Sequence, residues 1–324
     1  MKLFHLDLND AAIPAIGPCT ATIGFFDGVH RGHRYLIDSV KARAMQDGTG
    51  QSTVITFHAH PRLVLHKDYC PSLLTTLDEK VERLAQTGVD NCVVLHFDEA
   101  MASLPAREFM QEVLLRRLNV RTLVTGYDNR FGRNRSEGFE DYVRYGREMG
   151  IDVVQADAFT LNGVQVSSSV IRSFLSEGEV RMAAMCLGYG YRLTGRVVGG
   201  YHEGRRMGFP TANIVPEDSL KLVPRAGVYA VRAAVDGGAS PFGGMMNIGT
   251  RPTFDGTETT LEVNLFGFSG DLYGHTLTVE FVEKLRDEHK FPSVKRLIEQ
   301  LEEDRREAER VLGSPSPTLP KEGD

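Results

Sequence analysis

Residues 24–33 read Gly-Phe-Phe-Asp-Gly-Val-His-Arg-Gly-His, and their reading decides the fold of the first half of the chain. An apolar, β-prone run (Ala21, Thr22, Ile23) precedes them. A segment with helical apolar spacing at Tyr35, Leu36, Val40 and Ala44 follows. The pattern predicts a strand ending in a glycine turn, with a helix starting where His30 and His33 stand three residues apart. A helix N-terminus presents unpaired N–H groups and partial positive charge, which suits a phosphate. At one-turn spacing the two imidazoles face one side and can donate to phosphate oxygens as charge builds during transfer. Two plainer readings stay open. One is a zinc-binding histidine pair, although metal sites usually need a third ligand and none stands nearby. The other is ordinary capping of a core helix. Gly24, Phe26, Asp27 and Gly28 complete the turn, and the combination of Asp27, three glycines and both histidines favours phosphate.

Outward from this turn, strand-like and helical runs alternate over residues 20–187. Strands are expected over 21–24, 53–57, 92–97, 122–126 and 151–156, and helices over 34–45, 78–86, 106–118 and 139–148. This alternation implies βαβ units and an α/β fold with a doubly wound parallel sheet, whose ligands bind at the carboxyl ends of the strands. After Cys186 the texture changes. Residues 188–193 form a Gly/Tyr-rich bridge, and short β runs follow at 192–198, 228–235, 244–248, 260–266 and 276–281. Such strands, separated by glycine and proline, predict a small antiparallel β-barrel. A C-terminal helix is expected over 292–312 with Ser293 as its cap. Residues 313–324, with Pro315, Pro317 and Pro320, read as a disordered tail. The expected domains are therefore 1–187 and 188–312.

A chain of 324 residues is too long for one typical core, which agrees with two domains. Lys and Arg number 37 against 43 Asp and Glu, and the net charge of -6 argues against non-specific nucleic-acid binding. No apolar run approaches the roughly 18 residues of a membrane span. Lys2, His5, Asp7 and Asp10 leave no readable signal peptide. Cys19, Cys70, Cys92 and Cys186 are scattered without a Cys-x-x-Cys pair, which fits free thiols and a cytoplasmic location.

Further motifs stand at other strand ends. Residues 126–132, Gly-Tyr-Asp-Asn-Arg-Phe-Gly, offer Asn129 and Arg130 to a ligand or form a plain polar loop. Residues 167–172, Ser-Ser-Ser-Val-Ile-Arg, place hydroxyls at a helix start with an arginine one turn on, an anion cradle or a simple cap. Residues 57–61 bring His58 and His60, which alternate on a strand, so that at most one need face the site. In the second half, Gly199, Gly200 and Gly204 lead into Gly208-Phe-Pro-Thr-Ala-Asn213. Its hydroxyl and amide oxygens are hard ligands suited to a Mg²⁺ held mainly by substrate phosphates. Glu262 lies on a strand, where a carboxylate pointing inward could deprotonate a substrate hydroxyl, whereas one pointing outward would be a surface charge. The chain has no Gly-Lys-Ser/Thr, so a Walker-type loop cannot supply phosphoryl chemistry.

Residues 24–33, 126–132 and 167–172, in this order, resemble the adenylyltransferase half of prokaryotic bifunctional riboflavin kinase/FAD synthetases (FMN adenylyltransferases), part of the nucleotidyltransferase superfamily with the His-x-Gly-His signature. Residues 208–213, 227–230, 247–254 and 272–274 look like the riboflavin kinase module. The resemblance implies a cytoplasmic enzyme that phosphorylates riboflavin to FMN and then transfers AMP from ATP to FMN. It implies ATP as co-substrate, Mg²⁺ as cofactor, and neither nucleic acid nor membrane as partner. By carry-over, His30 and His33 stabilise the α-phosphate transition state, while Gly24, Phe26, Asp27, Gly28 and Asn129 line the nucleotide and phosphate region. Ser168, Ser169 and Arg172 hold the outgoing pyrophosphate. Thr211 and Asn213 coordinate Mg²⁺ with ATP, and Glu262 is the base for the terminal ribityl hydroxyl. Gly204, Gly208, Pro210 and Asn247 complete the nucleotide and flavin contacts, and Arg286 either joins them or is a surface residue. The sequence departs from the family at Ser169 (usually threonine), Ala59 (commonly proline), Asn264 (usually histidine) and Gly267 (usually aspartate). Two other functions remain: an adenylyl- or cytidylyltransferase for a different phosphorylated acceptor, and a flavin-binding sensor that has lost catalysis.

Overall fold

In the first half, hydrophobic β runs form a sheet whose four central strands are buried on both faces. The computed structural model describes residues 1–10, 14–65, 70–127, 129–133, 136–199, 203–253 and 256–313. Its strands here are β1 (Lys2–Leu6), β2 (Cys19–Ile23), β3 (Ser52–Phe57), β4 (Asn91–Leu95), β5 (Val120–Thr125) and β6 (Asp152–Gln155). They form one sheet in the order β1-β4-β3-β2-β5-β6, and all neighbours pair in parallel. Side-chain alternation divides the core in two. Cys19, Ala21, Ile23, Val93 and Leu95 face Met110, Val113 and Leu114, while Val54, Cys92 and Val94 face Ile37 and Leu84 on the other side.

The helices are α1 (Arg31–Gln46), α2 (Pro61–Leu65), α3 (Leu77–Ala85), α4 (Glu99–Ser103), α5 (Ala106–Phe109) and α6 (Phe139–Met149), and α5 runs on into a π-helical stretch, Met110–Arg117. A short hairpin, β7 (Thr160–Leu161) with β8 (Val164–Gln165), follows. From β2 the chain winds through β3 and β4 to one side, then returns to place β5 and β6 on the other. The carboxyl ends of β2 and β5 are thus the switch point where ligands of doubly wound sheets bind. β1, β7, β8, α2 and α4 carry no clear sequence signal, and β1 joins the sheet only through β4, with Lys2 opposite Asn91 and Leu6 opposite Leu95.

The second half begins with α7 (Ser168–Glu177) and α8 (Val180–Leu187). β9 (Arg192–Val198), α9 (Glu203–Arg206), β10 (Ala212–Pro216), β11 (Gly227–Val235), β12 (Phe242–Thr253), β13 (Gly256–Leu265), β14 (Thr276–Arg286) and α10 (Val294–Gly313) follow. The six strands close as β10-β13-β12-β11-β14-β9. β10 is the strand the sequence conceals, since it sits among proline and loop residues; it supplies the closing rung between β9 and β13. α10 packs Ala308 and Val311 with Phe209, Ala230 and Met245. Ser293 caps it, its Oγ accepting from the Arg296 N–H at 3.3 Å. Residues grouped by contact divide the chain into Met1–Ser167 and Ser168–Asp324, so α7 and α8 go with the barrel. The tail expected over 313–324 lies, apart from Gly313, outside the described residues, as do Gly200 and Phe254. Among the described residues no helix is long and apolar enough to cross a membrane.

Candidate active sites

The turn after β2 is held in an unusual backbone shape. Phe26, Gly28 and Val29 all have positive φ, at 54°, 81° and 36°. For a β-branched residue such as Val29 that conformation costs on the order of 1–3 kcal/mol, which the surroundings must offset. Burial offsets it: Phe26 and Val29 pack into the core with Ile37 and Val54. The backbone then enters α1 with His30 as its N-cap, its Nδ1 accepting from the His33 N–H at 3.2 Å. Capping and phosphate binding are therefore compatible at this residue. An Nδ1 that accepts a hydrogen bond places the ring proton on Nε2, a fixed donor. The His33 ring stacks on it with centroids 3.6 Å apart, and Phe26 meets His33 edge-on at 5.0 Å. Gly32 suits this packing, because a Cβ there would lie 3.1 Å from the Val166 carbonyl and 3.2 Å from the His30 ring and would press on both. α1 has no acidic residue in its first turn, so its N-terminal field is uncancelled.

Asn129 follows β5, and its side-chain N–H donates to the Ile23 carbonyl at the end of β2. This bond ties the two strands of the switch point together. Asp27 is 2% exposed. Its carboxylate accepts from the N–H groups of Leu74 at 3.0 Å and Thr75 at 2.9 Å and from the Thr75 hydroxyl at 3.1 Å, while Gly28 N–H donates to that hydroxyl at 3.0 Å. Asp27 therefore anchors the turn to the segment before α3.

His58 and His60 depart from expectation. β3 ends at Phe57, so the two histidines do not alternate on a strand. His60 instead stands just before α2, its Nδ1 accepting from Arg62 N–H at 3.2 Å, with its ring centroid 4.6 Å from that of Phe25. Sequence reasoning missed Lys80, which is 2% exposed. Its ammonium donates to the carbonyls of Phe25 at 3.2 Å and Phe57 at 2.9 Å. Burial pushes this lysine down to about 8, partly countered by the Asp27 and Cys92 charges. Ser168 opens α7, whose Ile171 and Leu175 are buried, while Ser169 is exposed and Arg172 half-buried. These three residues belong to the second compact unit. There the Leu175 carbonyl accepts from Arg225 N–H at 3.0 Å.

In the barrel, strand register does the assembly. Glu262 on β13 stands opposite Asn213 on β10 and opposite Asn247 on β12. Directly paired residues share a face, and all three line one cavity of about 310 Å³ with Gly204, Thr211 and Arg286. Glu262 therefore points inward. A second cavity, about 650 Å³, is lined by Pro210, Thr211, Phe268, Asp271, Leu272 and Tyr273. Thr211 is common to both. Gly208 is exposed at φ 83° and lines neither cavity. Gly204 sits where a Cβ would collide with the Phe209 carbonyl and lie 3.1 Å from the Thr211 hydroxyl.

Asn264 is buried, and its Nδ2 donates to the Pro210 carbonyl at 2.7 Å, which holds the Pro-Thr segment against β13. Gly267 occupies a turn at φ 70°, away from both linings. Arg286 is no surface residue. Its Nε donates to one oxygen of the buried Asp304 at 2.9 Å and its Nη2 to the other at 2.8 Å, and Gln300 donates to Asp304 at 3.0 Å. Asp304, which the sequence did not reveal, holds the Arg286 guanidinium in place.

Comparison with known proteins agrees with both halves. A family profile described as FAD synthetase matches residues 13–170, and one described as riboflavin kinase matches residues 187–312. The chain is 37% identical over 317 residues to a bifunctional riboflavin kinase/FMN adenylyltransferase of Escherichia coli K12, covering 98% of this chain and 100% of that protein. It is 37% identical over 296 residues to the Bacillus subtilis protein of the same description, covering 90% and 92%. A solved structure described as a macrolide-efflux protein from Streptococcus pneumoniae superposes with a TM-score of 0.84 at 31% identity, covering 94% of this chain and 98% of that one. With both profiles matched in order and near-complete coverage at this identity, the chain belongs to the bifunctional riboflavin kinase/FMN adenylyltransferase family.

Proposed function

We propose that this protein phosphorylates riboflavin to FMN with one ATP and joins FMN to the AMP of a second ATP, giving FAD and pyrophosphate. Residues 1–187 carry the adenylyl transfer and residues 188–312 the kinase. The observation that supports this reading most is the register that sets Asn213 and Asn247 on either side of Glu262 at a cavity wall. A volume near 310 Å³ lies within the roughly 300–1,000 Å³ of small-molecule sites.

In the kinase step, the riboflavin ribityl chain enters the cavity that holds Glu262, and ATP occupies the larger cavity beside Phe268 and Tyr273. Thr211, which borders both, marks the boundary where the γ-phosphoryl group passes. Glu262 takes the proton of the terminal hydroxyl as that oxygen bonds to phosphorus and ADP departs. The hydroxyl of Thr211 and amide oxygen of Asn213 are the donor types that Mg²⁺ accepts. Among the described residues no three His, Cys, Asp or Glu side chains converge as a metal cage. A Mg²⁺ here would therefore draw most of its ligands from phosphate and water, and it would neutralise phosphate charge. In the adenylyl step an FMN phosphate oxygen attacks the α-phosphorus of ATP. The Nε2–H of His30, with His33 beside it at the positive end of α1, stabilises the oxygens that gain charge. Asn129 keeps the strand ends in place.

The test is to incubate the full chain with riboflavin, ATP and Mg²⁺ and separate the flavins chromatographically. His33→Ala should accumulate FMN without FAD. Glu262→Gln should make no FMN from riboflavin yet convert supplied FMN to FAD. Removing Mg²⁺ with a chelator should stop both steps. Parent-rate kinase activity in Glu262→Gln refutes the assigned base.

A further inference from the structure

Among the described residues of the first unit, Lys80 is a buried cation that the mechanism above leaves unused. Lys80 lies on the first turns of α3, whose N-terminus is fixed by a capping box between Thr76 and Glu79. Its side chain runs inward, and its ammonium stands 4.2 Å from the centroid of the Phe25 ring. It donates to two main-chain carbonyls, Phe25 just past the end of β2 and Phe57 at the end of β3. The Thr56 hydroxyl donates to the same Phe25 carbonyl at 3.0 Å. The Phe25 carbonyl thus accepts from Thr56 and Lys80 together, and at the Phe57 carbonyl, where the strands diverge, Lys80 supplies a donor from outside the sheet. Two residues later Asp27 reaches back to Leu74 and Thr75, immediately before α3. α3 thus grips the turn from two sides, through a carboxylate sent outward from the turn and an ammonium sent inward to it.

We infer that Lys80 is a positioning residue for adenylyl transfer. Its ammonium fixes the separation between the turn bearing His30 and His33 and the bend after β3. The inference rests on the adenylyl-transfer reading of that turn. A neutral or hydroxylated side chain could fill the same volume, yet bridging two carbonyls on different strands needs a donor with at least two N–H bonds at the end of a long stem. A lysine meets that need but loses its hydration when buried, so the position is expensive unless the carbonyls and Asp27 compensate. The strained φ values of Phe26 and Val29 lie within four residues of the bridged Phe25 carbonyl. Releasing that carbonyl lets the turn relax and carries the imidazoles away from the reacting phosphorus, which lowers turnover more than affinity.

The experiment uses the full chain and measures kcat and KM for FMN adenylylation, with riboflavin phosphorylation by the same samples as control. Lys80→Met should lower the adenylylation kcat by about tenfold or more, with KM for ATP and FMN within about threefold. Kinase activity should stay within about twofold of the parent. Lys80→Arg, which keeps the charge and paired donors, should recover part of the lost kcat. Should Lys80→Met fail to fold, Lys80→Gln offers two N–H donors on a shorter stem, and the same split between kcat and KM is expected of it. Adenylylation at the parent kcat in Lys80→Met or Lys80→Gln, with only a lower melting temperature, overturns the inference. So does an Arg variant no better than Met. His33→Ala is assayed in parallel: if it makes FAD at the parent rate, the reading of the turn fails, and the role of Lys80 fails with it.

Discussion

Asp304→Ala is the sharpest test of how the barrel site is held. Asp304 is 3% exposed at its side chain and Arg286 is 19% exposed, with three charge-assisted bonds between them and a fourth to Asp304 from Gln300. Removing the carboxylate leaves a largely buried guanidinium without its anion, still in contact with the Asp287 carbonyl, His289 and the Phe291 ring. Breaking a buried pair in this way costs about 3–5 kcal/mol, and the partial exposure of Arg286 favours the lower end. For a unit of this size a 3 kcal/mol loss lowers the melting temperature by about 6–12 °C. Calorimetry on the full chain reads that shift, and steady-state kinetics reads the KM for riboflavin, since Arg286 borders the cavity. The decisive variant is Arg286→Met combined with Asp304→Leu. Replacing the pair with apolar groups of similar volume should return most of the stability. It should not return riboflavin affinity, because the cavity would then lack its guanidinium. A melting temperature within about 2 °C of the parent in Asp304→Ala refutes the energetic argument. Parent affinity in the double variant refutes the ligand contact.

Other expectations are simpler. Gly204→Ala should reduce kinase kcat/KM on the order of 10²-fold, because the added methyl displaces the Phe209–Thr211 segment, while conversion of supplied FMN to FAD stays at the parent rate. An unchanged kinase would show that the segment has room to yield. For pH, the sign follows from Lys80, whose folded value of about 8 lies below the 10.5 of an unhindered lysine. The unfolded chain binds that proton more tightly, so between those values unfolding takes up a proton and rising pH favours the fold. The unfolding free energy of the parent minus that of Lys80→Met should therefore grow by about 3 kcal/mol from pH 7.5 to 10.5. Cys19 and Cys92, both pushed up to about 11 by burial, weaken the fold in that range; Cys19 does so alike in both proteins, whereas Cys92 loses the lowering charge of Lys80 in the variant, which adds to the difference in the same direction. Denaturant titrations across this range check the difference, and a flat one refutes it.

The parts of the fold that were legible in the sequence are those with strong periodicity. The buried strands β2 to β5 and the helices α1, α3 and α6 announce themselves by apolar runs and 3.6-residue spacing. β1 does not, because an edge strand pairs on one side only and its sequence, Lys-Leu-Phe-His-Leu, lacks a continuous apolar face. β10 was hidden for a different reason: Pro210 just before it and Pro216 at its end read as breakers, and only barrel closure recruits it. The catalytic motifs were visible because glycine and histidine at fixed offsets are unusual. Their supports were not. Lys80 sits in Leu-Asp-Glu-Lys-Val-Glu-Arg and Asp304 in Glu-Glu-Asp-Arg-Arg, where each looks like one more solvated charge. Their inward direction depends on which helix face meets the sheet or the barrel. Glu262 was the intermediate case, since its inward face follows only from its partners on β10 and β12.

The three-abreast arrangement of Asn213, Glu262 and Asn247 constrains how this enzyme can change length. A strand at an open sheet margin can slip and re-pair, but a closed ring of six offers no margin. One residue inserted or deleted within β13 turns Glu262 to the outside and reverses its neighbours with it. Insertions are therefore tolerable in the connections, such as the turn around Gly267 between β13 and β14, and intolerable in the rungs. Variants engineered for altered substrate scope should lengthen loops and leave strand lengths alone.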